Sequence, residues 1–387
     1  MQWFFRTDSR NSQNSHYSLY SFYSGYIGYS GYNPTTAQPY NHKKMSLLRT
    51  FKLPVAMAMG VLAYYIFRAL PLGEDGEKAL YTVITRAIQP TLIFVMLFLS
   101  FLRVSPHELK PHRWHGLLLL TQGGLFALAS LAAWSCGTLF PAEATADIKI
   151  VLEGAMLCLI CPTATAAAVI VRKLGGSMSG IVTYILLCNM MVSILAPAFL
   201  TLVEPHAGMD FFTELFLITG QVFPLLLCPL VLAITVRHFC HSLSEKLLSV
   251  PDLPFYLWLV ALPLAITVTV RTIYDSHIPL SMLLWLSLVS LAACLLQFRL
   301  GRTIGRRWPQ PVKDPSEWKI AVYDPATYVD AGERSAITAG QAFGQKNTVF
   351  VIWLGLMFLN PVTSVVGGCY SIWHNLVNSY QLWKAGK

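Results

Sequence analysis

Hydrophobic runs separated by short polar segments make up most of this chain. Ten of these runs are about 20 residues long, and each is apolar all round rather than along one helical face. A helix of about 20 residues crosses a hydrocarbon layer of about 30 Å. The pattern therefore predicts an all-α membrane protein with ten transmembrane helices. These lie near 53–70, 83–102, 116–139, 150–171, 180–203, 213–236, 255–274, 278–298, 336–359 and 361–381.

The fourth predicted span is interrupted by a proline and two threonines. It reads EGAMLCLICPTATAAAVIVRKLGG, and Pro162 lacks the amide hydrogen that a helix uses inside a turn. Thr163 and Thr165 follow immediately. Their hydroxyls either bond back to carbonyls of a kinked helix or contact a ligand, and both interpretations stay open.

The ninth predicted span begins with a polar segment. The stretch GQAFGQKNTVFVIWLGLMFLNP sets a lysine and several amides directly against an apolar run. A lysine at the centre of a bilayer costs about 2.5–3.5 kcal/mol on insertion scales, so we interpret this segment as part of a site in a second broken helix. Its candidate substrate- or ion-binding residues are Gln341, Gln345, Lys346, Asn347 and Thr348.

The two interruptions fall at equivalent places in a chain of ten spans. Each lies in the fourth span of a five-helix half, the halves covering about 50–205 and about 211–383. Halves with an odd number of spans insert with opposite orientations, which is typical of an inverted-repeat transporter. Interrupted helices at membrane depth are tolerated where they are buried or line a wet cavity. The sequence thus predicts a ligand site between the two breaks.

Residues 1–44 differ in composition from the rest of the chain. The tract YSLYSFYSGYIGYSGYN is rich in tyrosine, serine and glycine and lacks the aliphatic residues that build a core. We predict a disordered extension at 1–44 and a ten-helix transporter domain at 45–387. Two alternatives stay open: a gene start assigned too early, since Met45 opens an ordinary membrane-protein sequence, and a transit peptide.

Composition and charge agree with a membrane protein, since 55% of the 387 residues are apolar and 12% are charged. One set of alternate loops and tails holds twenty lysines and arginines, whereas the other set holds three. By the positive-inside rule, both termini are expected in the cytoplasm and the protein in the plasma (inner) membrane. The loop arginines at 301–308 are expected to contact membrane lipids. The net charge of +9 therefore needs no nucleic-acid partner.

The reactive side chains do not form a metal or catalytic pattern. Seven of the eight cysteines lie in or at the edges of predicted spans, where they are interpreted as small apolar residues. Cys158 and Cys161 lack a second pair, and no metal site is predicted. The chain has no HExxH, no GxSxG with a partnered base and no aspartate-rich diphosphate motif. We predict a protein that is not an enzyme and carries no cofactor.

Several motifs together resemble one transporter family. CPTATAAAVIVRKLGG is similar to the fourth helix of the bile acid:sodium symporter superfamily, and GQKNT with YSIWHNLVNS is similar to its ninth and tenth helices. QPTLIFVMLFLSFLRV and LLLTQGGLFAL resemble its second and third helices. The resemblance covers about 50–383 and implies a divergent prokaryotic member. It implies a panel domain beside a core domain where the broken fourth and ninth helices cross, and transport of organic anions, commonly with sodium.

The sodium ligands that the resemblance implies are only partly present. A serine and an asparagine of the family's fourth helix become Ala167 and Ala168, and the acid of its ninth helix becomes Ala342. A family glutamine becomes Lys346. Sodium needs several oxygen ligands, preferably with one carboxylate among them. The family thus implies sodium coupling, whereas these four residues argue against it.

Other polar residues within the spans receive less specific predictions. Gln122 and Asn189 match polar ligands of the family by position, with interhelical hydrogen bonding as the alternative. Glu153 and Glu214 lie near predicted helix ends and are expected to be solvated caps. No aspartate or glutamate is expected deep within a predicted span, and this argues against a proton relay through carboxylates.

The tenth predicted span also carries a polar pair. His374 and Asn375 are expected to pack with satisfied hydrogen bonds.

We hypothesise that the ammonium of Lys346 replaces the coupling cation of the family. A sodium ion about 4 Å from this charge would be repelled by about 4 kcal/mol at an effective dielectric constant near 20. A fixed positive charge would instead keep the site attractive to an anion. Uniport, exchange and proton-linked transport through Lys346 all stay open.

The sequence therefore favours secondary active or facilitative transport of an organic anion by alternating access. Bile acids, keto acids and sulfonated metabolites remain candidate substrates, and the oligomeric state is not readable. An arsenite or metalloid efflux carrier of the same fold is one alternative, because Cys161 lies beside the helix break. A non-transport membrane receptor such as a retinal-binding photoreceptor is another, although it would need a carboxylate counter-ion and seven helices.

Overall fold

A computed structural model of the chain describes residues 52–103, 109–205, 208–250, 253–311 and 330–385. The predicted extension at 1–44 lies outside these residues. The described residues form helices joined by short loops, and they contain no strand. The helices are α1 Lys52–Ala69, α2 Gly73–Val83, a π-helical turn Ile84–Ile88, α3 Gln89–Leu102, α4 Arg113–Leu139, α5 Ala142–Ile160, α6 Ala167–Lys173, α7 Met178–Val203, α8 Phe211–Phe239, α9 His241–Leu248, α10 Leu253–Asp275, α11 Leu280–Arg307, α12 Ala331–Gly344, α13 Thr348–Phe358 and α14 Pro361–Ala385.

The length and composition of these helices are those of a multi-pass membrane protein. Within the described parts of the chain, six helices are long and apolar enough to cross a membrane. They are Gly73–Leu102, Arg113–Leu139, Met178–Val203, Phe211–Phe239, Tyr256–Asp275 and Leu280–Arg307. The other four predicted spans are also helical, but they are shorter, broken or more polar.

The helices pack in two groups. Helix α1 lies against α10, and α3 lies against both α8 and α10. In the second group, α4 packs on α5 and α7, while α11 packs on α5, α12 and α14. Contacts of α8 with α7 and of α10 with α14 join the groups.

Helices α11 and α12 approach each other closely because α11 carries glycines at the contact. A Cβ atom added at Gly301 would lie 2.5 Å from the carbonyl oxygen of Ala339. Gly305 meets the backbone of Ser335 in the same way. Side chains at either position would force the two helices apart. The close contact holds α12, and therefore the break that follows it, in a fixed position.

Ion pairs join helices near their ends. Glu333 in the first turn of α12 pairs with Arg302 and Arg306 of α11. Lys149 of α5 pairs with Glu204, which follows the last residue of α7. Two of the arginines predicted to meet lipid therefore have a protein partner.

The prediction that Glu153 and Glu214 are solvated caps is wrong, since each is only 2% exposed. Helix α5 begins at Ala142 rather than near 150, so Glu153 lies three turns inside it. Its Oε2 accepts a hydrogen bond of 2.9 Å from the Thr363 hydroxyl, and its Oε1 lies 3.7 Å from the Lys149 ammonium. Glu214 is in the first turn of α8, as predicted, but neighbouring side chains cover it.

Candidate functional site

Two short non-helical segments interrupt the fold where the sequence indicated breaks. The chain leaves the helix after Ile160 and resumes it at Ala167. The second break is shorter than predicted, because α12 continues to Gly344 and α13 begins at Thr348. Gln341 therefore lies within α12 and not in the break itself.

The two breaks, at 161–166 and 345–347, meet in the interior and pair through their backbones. We call these two paired segments the crossing. Thr163 and Lys346 form an isolated antiparallel β-bridge. The amide of Ala164 donates to the carbonyl of Gln345 at 2.9 Å. Each break exposes backbone groups that a continuous helix would have paired internally, and buried groups of this kind require a partner. Here each broken segment provides hydrogen-bond partners for some of the backbone groups of the other.

Three further hydrogen bonds join the segments. The amide of Asn347 donates to the Pro162 carbonyl at 2.8 Å, and the Cys161 thiol donates to the Asn347 carbonyl at 3.1 Å. The hydroxyl of Thr163 donates across the crossing to the Ala342 carbonyl at 2.5 Å. The back-bonding interpretation is therefore wrong for Thr163, whose hydroxyl fixes one broken helix against the other.

Side chains from neighbouring helices cap the carbonyls at which the half-helices end. The Gln122 amide donates to the carbonyls of Ile160 and Cys161 at 3.2 and 3.1 Å, at the end of α5. The Tyr370 hydroxyl donates to the Gly344 carbonyl at 2.8 Å, at the end of α12. The last carbonyls of a helix have no partner within it, so these caps compensate for the breaks.

Gln122 holds the first half-helix in place and does not offer a free amide. Its Oε1 accepts from the Tyr184 hydroxyl at 2.9 Å and from the Cys188 thiol at 3.4 Å. Both ends of the side chain are thus occupied by protein groups. The interhelical alternative from the sequence describes Gln122 better than ligand binding does.

Lys346 lies at the centre of the crossing and is 1% exposed. Its ammonium is 4.9 Å from the centroid of the Phe343 ring, within the range of a cation–π contact. It has no hydrogen-bond or ion-pair partner among the described residues. The titratable groups that act on it are three thiols, those of Cys158, Cys161 and Cys188. A buried cation in this setting lacks a counter-charge, and an anionic ligand would supply one.

The remaining candidates at the breaks are buried but differ in what they do. Asn347 caps α13 by accepting a 3.3 Å hydrogen bond from the Phe350 amide, and Thr348 is the first residue of that helix. Thr165 lies within the first break and is 5% exposed. Asn189 on α7 is fully buried, and neither atom of its amide has a hydrogen-bond partner among the described residues. Of these four, Asn189 retains the most capacity to bind a ligand.

The side chains of Gln341 and Gln345 have different surroundings. The side-chain amide of Gln341 donates to Asn378 at 3.1 Å and to Gln381 at 2.8 Å, both on α14. The backbone of Gln345 pairs across the crossing, while its side-chain oxygen is buried without a partner in the described structure. The structure thus separates Gln341 from the residues that form the crossing.

The prediction that His374 and Asn375 have satisfied hydrogen bonds is wrong. No nitrogen or oxygen of either side chain has a partner among the described residues, although both are buried. Ser371 Oγ and Asn378 Nδ2, on the same helix, are also buried without a hydrogen-bond partner among the described residues. Each buried polar atom left unpaired costs about 1–3 kcal/mol, so the set would consume much of the 5–15 kcal/mol that keeps a typical protein folded.

Two residues that the sequence did not single out support the crossing. Gln297 of α11 donates to the Cys158 carbonyl at 3.3 Å and to the Tyr370 hydroxyl at 3.4 Å. A glutamine within an apolar span is a signal that sequence reading can use. Tyr370 had no such signal, because tyrosines occur throughout the chain.

A separate cavity of about 220 Å³ lies between the π-helical turn, the start of α8 and the end of α13. Arg86, Glu214 and Gln221 contribute its polar lining, and Met357 and Phe358 part of its apolar lining. None of these residues belongs to the two breaks.

Within the described residues, no three histidine, cysteine, aspartate or glutamate side chains come together as metal ligands. Comparison of the chain with models of known protein families gives no match, and comparison with curated proteins gives none either.

Proposed function

We propose that this protein is a secondary carrier that moves an organic anion across the membrane by alternating access. The ligand binds where the two broken helices cross, with its negative charge against the ammonium of Lys346. One observation carries the proposal: this ammonium is buried at a helix crossing with no hydrogen-bond or ion-pair partner among the described residues. Ionisable groups inside membrane segments are retained mainly where they serve a ligand or ion pathway.

The proposed architecture is that of the bile acid:sodium symporter superfamily, with ten spans in two inverted five-helix repeats. Helices α1, α3, α8 and α10 would form the panel, and α4 to α7 with α11 to α14 would form the core. The packing of α1 and α3 on α10, and of α11 on α12 and α14, supports this division. So does the position of both breaks in the second group.

The site chemistry favours an anion over sodium. The ninth helix has Ala342 where the resembling family carries an acid, and the fourth has Ala167 and Ala168 where it carries polar ligands. A sodium ion about 4 Å from the ammonium would meet a repulsion of about 4 kcal/mol. In this proposal the lysine is a tethered cation that does not leave with the substrate.

Transport into proteoliposomes tests the proposal. Labelled bile acids, keto acids and sulfonates would be offered to the native protein and to Lys346→Met, which keeps the length of the side chain and removes its charge. We expect saturable uptake of at least one class, reduced at least about 30-fold by the substitution, since losing one partner of a buried charge pair costs about 2 kcal/mol or more.

Lys246→Met is the matched control, because it removes the charge of a lysine that is exposed on the short helix α9, away from the crossing. We expect it to keep at least about half of the native uptake, as a charge on the surface contributes little. Uptake that is unchanged in Lys346→Met, or no uptake of any anion by well-folded native protein, contradicts the proposal.

A further inference from the structure

One face of α14 carries a continuous stripe of buried polar side chains. Ser371, His374, Asn375 and Asn378 follow the spacing i, i+3, i+4, i+7, which places them on the same side of a helix. Each is at most 2% exposed. We call these four residues the polar stripe. Such a face within a membrane protein is directed at the protein interior and not at lipid.

The polar stripe connects the helix crossing with the end of α14. At one end Tyr370, which precedes Ser371, bonds to the Gly344 carbonyl beside the second break. At the other end Asn378 accepts from Gln341, which also bonds to the half-buried Gln381. At about 1.5 Å per residue, the distance from Ser371 to Gln381 along the helix is about 15 Å.

The polar atoms of this stripe need partners that the described side chains do not provide. Both ring nitrogens of His374, both amide atoms of Asn375, Ser371 Oγ and Asn378 Nδ2 are unpaired, as is Gln341 Oε1 on the facing helix. Polar groups that converge in a protein interior are commonly bridged by ordered water, and each water uses two to four of them. These unpaired atoms include both donors and acceptors, as a file of waters requires.

We propose that the polar stripe is a hydrated passage through which water and protons reach the Lys346 ammonium from the membrane face at which α14 ends. Gln381 marks its mouth, and Gln345, whose side-chain oxygen is also buried and unpaired, lies at its inner end next to Lys346. The passage leads from Lys346 to one side of the membrane.

Protons are conserved as they move along this route. The ammonium gives a proton to the adjacent water and becomes a neutral amine, and the water file releases one proton at the mouth; the reverse restores the charge. His374 can take a proton on one ring nitrogen and give one from the other. The use of the passage in transport rests on the proposed function, but its hydration does not.

The groups that face the two titratable residues include no carboxylate in the described structure. The thiols of Cys158, Cys161 and Cys188 act on Lys346. The ring of Tyr370 lies 5.7 Å from that of His374.

Among the described residues, the Glu153 carboxylate accepts its hydrogen bond from α14 at Thr363. That residue is about 16 Å from His374 along the helix axis, at about 1.5 Å for each residue. Water is therefore the carrier that remains for protons along the stripe.

Thiol labelling tests the passage without any transport assay. Ser371→Cys and Asn375→Cys would be treated with a small charged thiosulfonate reagent in detergent-solubilised full-length protein, and the modified peptide identified by mass spectrometry. Because only a thiolate in contact with water reacts well, we expect both to react at least about tenfold faster than Leu376→Cys. Leu376 is the matched control, since it neighbours the stripe but points outward and is 52% exposed.

Equal or slower labelling of Ser371→Cys and Asn375→Cys relative to Leu376→Cys would overturn the passage. A second measurement covers the case in which a cysteine disturbs the fold. Reductive methylation of native protein should modify Lys346, and His374→Leu, which removes two polar atoms from the stripe, should slow this at least about tenfold.

His115→Leu is the control for that measurement, as His115 is equally buried but already bonds to the Gly180 carbonyl at 3.0 Å. It should leave the methylation of Lys346 unchanged. Lys346 that resists methylation in the native protein, or that reacts equally in His374→Leu, contradicts the proposal.

Discussion

At the scale of single residues, one buried lysine works against the stability of the protein. Lys346 has no charged partner among the described residues, and the groups near its ammonium are the Phe343 ring and three thiols. Burying a charge without a partner is unfavourable. A residue of this kind is kept in place by its function, and removing the charge should relieve the fold.

We therefore expect Lys346→Met to raise the stability of the protein while it lowers transport. Replacing buried ionic groups with apolar ones of similar volume often stabilises a protein by about 1–4 kcal/mol. The backbone bridge of residue 346 to Thr163 does not depend on the side chain. Thermal unfolding followed by intrinsic fluorescence in detergent measures the effect. A lower unfolding temperature would show that the ammonium is a structural contact instead.

The sequence located this residue but could not describe all of its surroundings. A lysine between two amides within an apolar span is visible in any reading of the chain. The unpaired state of His374 and Asn375 was not visible, because helical spacing shows which residues share a face and not which donors stand opposite them. The same limitation left the role of Gln122 open until its partners were known.

At the scale of helices, the two breaks act as one unit. Neither broken segment could be buried alone, since its backbone groups would lack partners. The pairing of Ala164 with Gln345 and of Asn347 with Pro162 satisfies both together. The crossing therefore requires that the second half-helix be held firmly, which is what the contact of α11 with α12 provides.

Gly301→Ala tests this contact. The new methyl group would meet the Ala339 carbonyl oxygen at 2.5 Å, so α11 and α12 would have to separate. Overpacking of this kind costs about 1–3 kcal/mol, and we expect a lower unfolding temperature. The same substitution at Gly220 is the control, because nothing lies within 4 Å of its added Cβ.

In Gly220→Ala, the better helix propensity of alanine should leave stability unchanged or raise it by up to about 1 kcal/mol. Equal effects of the two substitutions on the unfolding temperature would mean that the close approach of α11 and α12 does not contribute to stability.

Breaks were easier to predict than helix ends. Pro162 removes a backbone donor wherever it stands, so the first break follows from the sequence. Predicted helix starts followed the apolar runs, and those of the second and fourth spans were placed too late. Helix α2 begins at Gly73 with the polar stretch GEDGEK, and α5 begins at Ala142. Polar first turns continue a helix beyond the hydrophobic run, which is why Glu153 was misplaced.

At the scale of the whole molecule, composition was sufficient for the class of protein, and six described helices meet the requirements for crossing a membrane. The number of crossings depends on how the broken helices are counted. In the proposed architecture, α12 and α13 together make one crossing. Ser276 and Asn360 then lie on the same side, and Cys240 lies on the other.

Labelling with a membrane-impermeant maleimide tests this topology. Ser276→Cys and Asn360→Cys should react from one face of sealed vesicles, whereas native Cys240, which is exposed between α8 and α9, should react from the opposite face. Because α8 and α10 each cross once, Cys240 reports the side independently of the broken helices. Labelling of Asn360→Cys together with Cys240 would mean that α12 and α13 do not form a single crossing.

The measurement that tests the central claim most directly is the sodium dependence of anion uptake by native protein in proteoliposomes. Initial rates would be compared in sodium and in potassium, at equal ionic strength and with no other gradient. If the Lys346 ammonium replaces the coupling cation, the two rates should agree within about twofold, because repulsion of about 4 kcal/mol excludes sodium from the crossing. Uptake that needs sodium, and that a sodium gradient drives to accumulation, would contradict the account.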